Sequence, residues 1–327
     1  MIKRYAGNPV MSAADVPFPS SLVFNAGVCK FQGKYVMVFR NDVGYSPEGV
    51  KEVPYTNLGV AFSSDGIHWE VQKTPWALPG EILKANPEYR RFYDPRLTVI
   101  DGRCYLCFAV DTFGGVRGGI AVTDDFDNFE VLSVSAPDNR NMVLFPEKIN
   151  GNFYRLERPF PVYGAGGEFF DIWGAASPDC RYWGDHKLIL SCKQVPYAGA
   201  KIGPGAPPVK TSAGWLTLFH AVKIHKEKVL KGWEQVDNPN FKWRKEYFAG
   251  IMLLDLEDPS KVVAMSQEPL LQAEEPYETD GFRGSVIFPG GMILEDSGEV
   301  KIYYGGADTV ECLATADVGD LIRLCGK

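Results

Sequence analysis

The residues of this sequence that could do chemistry are polar and charged side chains that recur beside short apolar segments. A protein core does not accommodate charges at such places unless they are paired or bound to a ligand. Carboxylates accept hydrogen bonds from hydroxyl groups, whereas arginine, lysine and histidine supply donors and positive charge that suit a phosphate oxyanion. In chain order, these residues are Asn25, Arg40, Asn41, Asp42, Asp94, Arg96, Asp111, Arg140, Asn141, Arg158, Lys201, His220, Arg283 and Asp308.

Each of these residues also has a structural explanation. Asp and Asn cap turns, Arg pairs with carboxylates between packed sheets, and a lone His is more often a satisfied core residue than a ligand. A ligand site is favoured by the recurrence of such residues at equivalent places in repeated units. Arg140, Lys201 and His220 together offer up to three positive charges, which is the composition expected of a phosphate site.

The sequence predicts neither a metal nor a cofactor. His68, His186 and His225 have no partner at a metal-ligand spacing, and the chain has no glycine-rich loop of the nucleotide-binding type. Cys104 and Cys107 lie inside a predicted strand, where their spacing directs the two side chains to opposite faces. We therefore expect the seven cysteines to be buried, reduced thiols.

Five copies of one pattern supply the elements that must position the polar residues. Each copy has a turn with glycine (residue 33, 102, 151, 214 or 298) followed by an aromatic-rich, alternating strand. Glycine there fits the positive φ of a hairpin turn. One more short strand precedes each turn, and one or two follow the alternating strand. The turn segments are FQGKYVMVFR (31–40), IDGRCYLCFAVD (100–111), INGNFYRLER (149–158), TSAGWLTLFH (211–220) and DSGEVKIYYG (296–305).

Five such sheets cannot each bury two faces alone. We therefore predict an all-β fold, a five-bladed β-propeller with the active site at the central axis, where the innermost strands converge. One such catalytic domain is expected to span residues 1–327. The alternative is a β-sandwich with coincidental hairpins. Segments 43–57, 76–91 and 225–245 are predicted to form a rim over one end, the last of them with a turn of helix.

Charge and hydropathy exclude several classes of partner. The net charge is −7 and no basic block is present, which argues against nucleic acid and anionic membranes. No segment approaches the ~20 apolar residues of a membrane helix, and the N-terminal MIKRYAGNPV lacks the apolar core of a signal peptide. We predict a cytoplasmic protein. Its oligomeric state stays open, with a homo-oligomer as one alternative.

The chain resembles glycoside hydrolase family 130, the β-mannoside phosphorylases, from about residue 8 to the C-terminus. FNAG (24–27) differs from the FNSA of the family's manno-oligosaccharide group, and FRGS (282–285) lacks that group's Pro-Asn. The acceptor sugar, the linkage and the chain length therefore stay open. The motifs that carry the resemblance are FNAGV (24–28), GKYVMVFR (33–40), YDPRLT (93–98), NRNMVLFPEKING (139–151), KIGPGAPPVKTSAGWLTLFHAV (201–222), LLDLEDPSKV (253–262) and IYYGGADT (302–309).

The resemblance implies roles for individual residues. Asp94 matches the family's single catalytic carboxylate, the general acid, which is implied to act through the mannose 3-hydroxyl. Arg140, Asn141, Lys201 and His220 match its phosphate ligands. Three further residues match positions that line the mannose pocket, and four more members of the polar set are assigned to sugar binding with them. The sugar-binding residues are thus predicted to be Asn25, Arg40, Asp42, Arg96, Asp111, Arg283 and Asp308.

These roles predict an inverting phosphorolysis of a β-mannoside oligosaccharide or disaccharide. An inverting glycosidase needs an acid for the leaving oxygen and a base for water. Phosphate is already an anion, so a cationic cradle takes the place of the base. The products are α-mannose 1-phosphate and a shortened sugar, and no cofactor is needed.

Three other functions remain as alternatives. A β-mannosidase on the same fold would use water and would lack the basic cluster. A furanosidase-type propeller would need an Asp/Glu pair, for which Glu147 or Glu157 would supply the glutamate. A non-catalytic sugar-binding propeller would explain the aromatic residues and the carboxylates, but not three convergent cations.

Overall fold

The structure, a computed structural model, describes residues 1–46, 49–76, 86–161, 169–225 and 244–326. Their strands form five antiparallel sheets. The inner strands of each sheet contact those of the next, and the fifth sheet contacts the first, so that the sheets close into a ring. The prediction of an all-β five-bladed propeller is confirmed, and the sandwich alternative is wrong.

Within most blades the strands follow chain order from the axis outward. Blade 1 contains β2 (Leu22–Phe31), β3 (Lys34–Ser46), β4 (Gly49–Ser63) and β5 (Glu70–Val71). Blade 2 contains β6 (Tyr89–Ile100), β7 (Arg103–Thr112), β8 (Gly115–Thr123) and β9 (Glu130–Val134). Blade 3 contains β10 (Asn139–Leu144), β11 (Phe153–Pro159), β12 (Ile172–Ser177) and β13 (Gly184–Leu190).

The last two blades depart from this order. Blade 4 contains β14 (Lys201–Pro204), β15 (Val209–Thr211), β16 (Gly214–His225), β17 (Arg244–Leu254) and β18 (Val262–Met265). Blade 5 contains β19 (Ile287–Leu294), β20 (Glu299–Gly306), β21 (Val310–Asp317) and the N-terminal β1 (Lys3–Arg4). The short helices of the described residues are two 3₁₀ turns, Ala13–Asp15 and Cys192–Gln194, with α1 (Pro276–Thr279) and α2 (Val318–Leu324).

The N-terminal segment closes the ring by supplying the outermost strand of blade 5. Arg4 of β1 pairs with Ala314 of β21, and its guanidinium binds the buried carboxylate of Glu278 at 2.8 Å. The chain leaves β21 at Asp317, which caps α2 by accepting a hydrogen bond from the Asp320 amide at 3.1 Å. The free edge of β21 pairs with β1, and the residues that follow β21 form α2 instead of a further strand.

The five hairpin glycines have the predicted backbone conformation. Their φ values are +80° at Gly33, +78° at Gly102, +80° at Gly151, +142° at Gly214 and +88° at Gly298. In the first three turns the preceding residue also has a positive φ. Two consecutive residues with positive φ are the signature of the type I′ turn, whose twist matches that of the flanking strands.

A separate apolar cluster lies between each pair of neighbouring blades. Strand alternation makes this possible, since Trp215 of β16 packs towards blade 3 and Leu216 towards blade 5. By the same rule, Cys104 and Cys107 enter clusters on opposite faces of blade 2. All seven cysteines are buried and free, as the sequence predicts.

One predicted segment differs from the structure. Of residues 43–57, predicted to form a loop of the rim, 43–46 and 49–57 instead extend β3 and β4, and Tyr45 pairs with Val50. In blade 4 a break separates β14 from β15. Most of the predicted rim at 76–91 and 225–245, including its helical turn, lies outside the described residues. Among those described, no helix has the length and apolar composition to cross a bilayer.

Candidate active site

A β-bulge interrupts the innermost strand of blades 1, 2 and 3. Inside each bulge one residue has a left-handed backbone, with φ of +55° at Asn25, +52° at Asp94 and +57° at Asn141. A bulge bends the strand and re-aims a side chain, and strained non-glycine residues of this kind cluster at functional sites. The register shifts lie between Phe24 and Gly27, between Tyr93 and Arg96, and between Arg140 and Val143.

A cavity of about 190 Å³ lies where the innermost strands meet. All five blades contribute to its wall, so that residues far apart in sequence converge. The residues of the predicted site that line it are Asn25, Arg40, Asp42, Asp94, Arg140, Lys201, His220, Arg283 and Asp308.

Asp94 lies between an amide and a guanidinium from blade 1. Its Oδ1 accepts hydrogen bonds from Asn25 Nδ2 at 3.0 Å and from Arg40 Nη1 at 3.5 Å. Burial raises the pKa of this carboxyl, but the guanidinium groups of Arg40, Arg140 and Arg96 outweigh burial and hold the pKa below its usual value. Without a ligand in the cavity, Asp94 is therefore ionised at neutral pH.

Arg40 is fixed by a two-pronged ion pair with Asp42 on the same strand. Nε donates to Asp42 Oδ1 at 2.9 Å, and Nη2 donates to Oδ2 at 2.6 Å. The Thr56 hydroxyl of β4 donates to Asp42 Oδ1 at 2.6 Å. The guanidinium also lies over the Phe24 ring, 4.5 Å from its centroid. This pair presents a rigid donor and acceptor surface at one side of the cavity.

Cationic side chains from blades 3 and 4 form the opposite side of the cavity. Burial, together with the charges of Arg158 and Arg140, lowers the pKa of Lys201 to about 6. Burial and the neighbouring Arg140 also lower the pKa of Arg158. Arg140 donates to the Tyr93 hydroxyl at 3.4 Å, and its Nε has no partner among the described residues. Like charges held so close favour an anionic ligand between them.

His220 is held as a neutral imidazole. Burial and the charge of Arg158 lower its pKa well below the usual value. A neutral ring can accept at Nε2, where Arg158 Nη1 donates at 3.0 Å, and Nδ1 then carries the hydrogen. That Nδ1 is buried with no partner among the described residues. The ring packs on Phe288, with 4.6 Å between centroids.

Asp308 and Arg283 of blade 5 complete the lining. Burial raises the pKa of the Asp308 carboxyl to about 6. The Arg283 Nε lies 3.6 Å from Asp308 Oδ2, and the Arg283 side chain is largely exposed. Asp308 and Asp94 therefore differ in proton affinity although both are buried, because Asp308 is less compensated by positive charge.

Three predicted site residues do not line the cavity. Arg96 is buried and donates only to backbone carbonyls, including those of Gly205 at 2.7 Å and Asn25 at 3.2 Å. Asp111 Oδ2 accepts a hydrogen bond from Arg91 Nε at 3.0 Å, and Asp111 Oδ1 accepts one from the Tyr93 hydroxyl at 2.9 Å. Asp111 therefore positions two residues that line the cavity without lining it itself.

The third of these residues, Asn141, occupies the bulge of β10. Both polar atoms of its amide are buried without a partner among the described residues. Buried amides are rarely left unpaired in folded proteins. The two atoms can still bind a polar group next to Arg140, but the Asn141 side chain does not line the cavity.

Several lining residues have no role predicted from the sequence. Arg158 belongs to the polar set, and its place at the end of the second strand of blade 3 matches that of Arg40 in blade 1, which could have identified it. Tyr93 and Tyr247 look like ordinary core aromatics in the sequence. Tyr45 and Phe282 stack edge-on at 5.1 Å and also line the cavity, but they lie in segments without a strand pattern.

Within the described ranges, no three His, Cys, Asp or Glu side chains form a group that could hold a metal ion. Arginine and lysine side chains face the cavity together with the carboxylates of Asp42, Asp94 and Asp308. The absence of a cofactor stays a prediction.

Comparisons with known proteins give a consistent family assignment. A 1,2-β-oligomannan phosphorylase from Thermoanaerobacter sp. (strain X514) is 33% identical over 98% of both chains. A β-1,4-mannooligosaccharide phosphorylase from Ruminococcus albus is 31% identical over 98% of this chain and 90% of its own. The solved β-1,2-mannobiose phosphorylase from Listeria innocua superimposes with a TM-score of 0.79 at 27% identity, covering 99% of each chain.

The family model described as β-1,4-mannooligosaccharide phosphorylase matches residues 2–327. The match spans every blade, and with it the bulges and the cavity. On this ground, and on the architecture it shares with its relatives, the chain belongs to glycoside hydrolase family 130.

Proposed function

We propose that this protein is an inverting phosphorylase that cleaves a β-mannosidic bond with inorganic phosphate and releases α-mannose 1-phosphate. The observation that carries the proposal is the division of one cavity into two sides. Arg140, Arg158 and Lys201 form a cationic side, and Asp94 stands among the sugar-binding candidates on the other.

The division of the cavity into two sides explains how an inverting enzyme can work with a single catalytic carboxylate. Hydrolysis with inversion requires a second carboxylate to activate water on the opposite face of the sugar. Phosphate brings its own negative charge and needs only to be held near the anomeric carbon. The cationic side meets that need, and holding phosphate and sugar together lowers the entropic part of the barrier. The cluster therefore favours phosphorolysis over the β-mannosidase alternative.

The acid role of Asp94 requires that its proton affinity rise during the reaction cycle. In the structure the nearby guanidinium groups hold its pKa low. A phosphate anion among these cations offsets part of their field, which raises the pKa of Asp94 and favours the proton that a general acid must deliver. Phosphate binding would thus prepare the acid as well as supply the nucleophile.

The remaining polar residues fit recognition of a mannose unit. The Arg40–Asp42 pair, Asn25 and Asp308 surround Asp94 with donors and acceptors. The related phosphorylases, at about 30% identity, act on β-1,2- and β-1,4-linked mannosides, which supports the same sugar here. We further propose a cytoplasmic location, in keeping with seven buried free thiols.

The synthetic direction tests the proposal and identifies the acceptor. The protein is incubated with α-mannose 1-phosphate and, one at a time, glucose, mannose, N-acetylglucosamine and mannobioses of each linkage. We expect phosphate release with at least one acceptor, and release that is about 10²–10⁴-fold slower with the Asp94→Asn variant. Release of phosphate and free mannose without any acceptor would instead indicate hydrolysis and contradict the proposal.

A further inference from the structure

A second, larger cavity lies between blades 2 and 3, outside the central site. It measures about 900 Å³, which is within the range of small-molecule sites. One wall comes from the end of β9 and the segment that follows it, residues 133–138. The other is the face of blade 3 on which Glu157, Trp173 and Leu188 are cross-strand neighbours.

The two cavities share the β10–β11 pair but use opposite faces of it. Side chains alternate along a strand, so Arg158 lines the central cavity while Glu157 and Arg155 line the second. In β10, Arg140 likewise lines the central cavity and its neighbour Asn139 lines the second. The second cavity is therefore a separate compartment with its own side chains.

The floor of this second cavity is a buried polar network. Arg155 binds Glu157 at 2.6 Å, with both side chains almost fully buried. The other Glu157 oxygen contacts His186 Nδ1 at 2.9 Å, and Asn139 Nδ2 donates to Glu157 Oε2 at 3.0 Å. Asn139 Oδ1 and Arg155 Nε are buried without a partner among the described residues. A buried ion pair is weak evidence for a stabilising role, because desolvation opposes it, and unpaired buried atoms call for a further explanation.

Aromatic side chains surround this floor. Trp173, Trp183, Phe160 and Phe169 all line the cavity, and the Arg155 guanidinium lies over the Trp183 ring, 4.2 Å from its centroid. Both guanidinium groups in the lining are paired, Arg155 with Glu157 and Arg181 with Glu130. The two further carboxylates, Asp138 and Asp171, accept hydrogen bonds from backbone amides. The central cavity is cationic, whereas this one has no surplus of positive charge.

We infer that this inter-blade cavity binds a neutral saccharide. The C–H face of a sugar ring packs on an indole or phenyl ring, and its hydroxyl groups take hydrogen bonds from a polar floor. A purely apolar ligand would leave the floor unsatisfied, and an anion would meet no surplus of positive charge. Such a site would hold a saccharide apart from the cleavage site, on a protein whose relatives act on chains of mannose.

Calorimetric titration in an Asp94→Asn background tests this inference without turnover. The probes are β-1,2-mannotetraose and β-1,4-mannotetraose. Removing Trp183 (Trp183→Ala) should weaken binding of at least one tetraose at a distinct site by tenfold or more. His186→Ala should weaken the same site; since this side chain is half-exposed, the variant also covers the case in which Trp183→Ala fails to fold.

Tyr182→Ala is the matched control, because this neighbouring aromatic is 77% exposed and does not line the cavity. It should leave both isotherms unchanged. If Trp183→Ala and His186→Ala give the same isotherms as the Asp94→Asn parent, the inference is overturned. Loss of self-association in Trp183→Ala, measured by sedimentation with unaltered saccharide binding, would also overturn it and identify the cavity as a contact between copies of the chain.

Discussion

Lys201 is the residue whose protonation should depend most on what occupies the central cavity. Its pKa in the structure is about 6. A bound phosphate anion favours the ammonium form and raises that pKa. Between the two pKa values the complex holds more protons than the free protein, so phosphate affinity should fall as pH rises from about 6.

Lys201→Met keeps the length of the side chain and removes its titration. We expect the phosphate KM of this variant to be high and its pH dependence flatter than that of the wild type. Lys223→Met, at an exposed position on the same blade, should behave like the wild type. Parallel pH profiles for the wild type and Lys201→Met would contradict the proposed contact with phosphate.

Substitutions on the cationic side of the cavity should change the KM for phosphate without changing the KM for the sugar. A charge-assisted hydrogen bond contributes about 1.5–3 kcal/mol, so Lys201→Ala and Arg140→Ala should each raise the phosphate KM by about 10- to 150-fold with little change in the sugar KM. His220→Ala should have a comparable effect if Nδ1 donates to phosphate, and a smaller one if the ring only positions Arg158. If these residues serve stability alone, melting temperatures will fall while the phosphate KM stays constant.

Asp94→Asn tests the acid. The change keeps the shape of the side chain and removes the proton donor, which typically costs about 10²–10⁴-fold in rate. Asp124→Asn, at an exposed carboxylate of the same blade, is the control and should retain full activity. Circular dichroism should show both variants folded. Near-normal turnover by Asp94→Asn would transfer the role to another carboxyl, with Asp308 the next candidate because its pKa is about 6.

At the scale of the elements, the hairpin turns were predictable because they depend on one residue. Only glycine adopts a strongly positive φ without strain, and its recurrence before alternating strands identifies the turns. The bulges were not predictable, since Asn25, Asp94 and Asn141 continue ordinary strand patterns. Their left-handed backbone follows from the register of the partner strand, which no local sequence reveals.

Gly102 and Gly184 provide a test of this distinction. A methyl group meets no atom within 4 Å at either position, but only Gly102 has a positive φ, +78°. Gly102→Ala should therefore lower the free energy of unfolding by about 1–2 kcal/mol through backbone strain alone. Gly184→Ala should leave it unchanged or raise it by about 0.4–1 kcal/mol. Equal effects in denaturant titrations would show that the turn conformation is not what glycine provides.

At the scale of the whole molecule, the ring brings together residues that are distant in sequence. The polar set predicted most of the charged residues that line the cavity. Charges on apolar strands are costly to bury between the blades, and the central axis is where a ligand can pair with them. Arg96 shows the limit of that reasoning. Its sequence setting resembles that of Asp94, but its guanidinium binds backbone carbonyls of blades 1 and 4 and stabilises their meeting point. Composition cannot tell a charge that faces a ligand from one that faces the backbone.

The products formed with and without phosphate distinguish a phosphorylase from a hydrolase. The protein is incubated with β-1,2- and β-1,4-linked mannooligosaccharides in buffers with and without phosphate, and the products are identified by NMR. We expect α-mannose 1-phosphate as a product, and cleavage that stops when phosphate is removed. Free mannose formed at the same rate in phosphate-free buffer would contradict it and would make the enzyme a hydrolase.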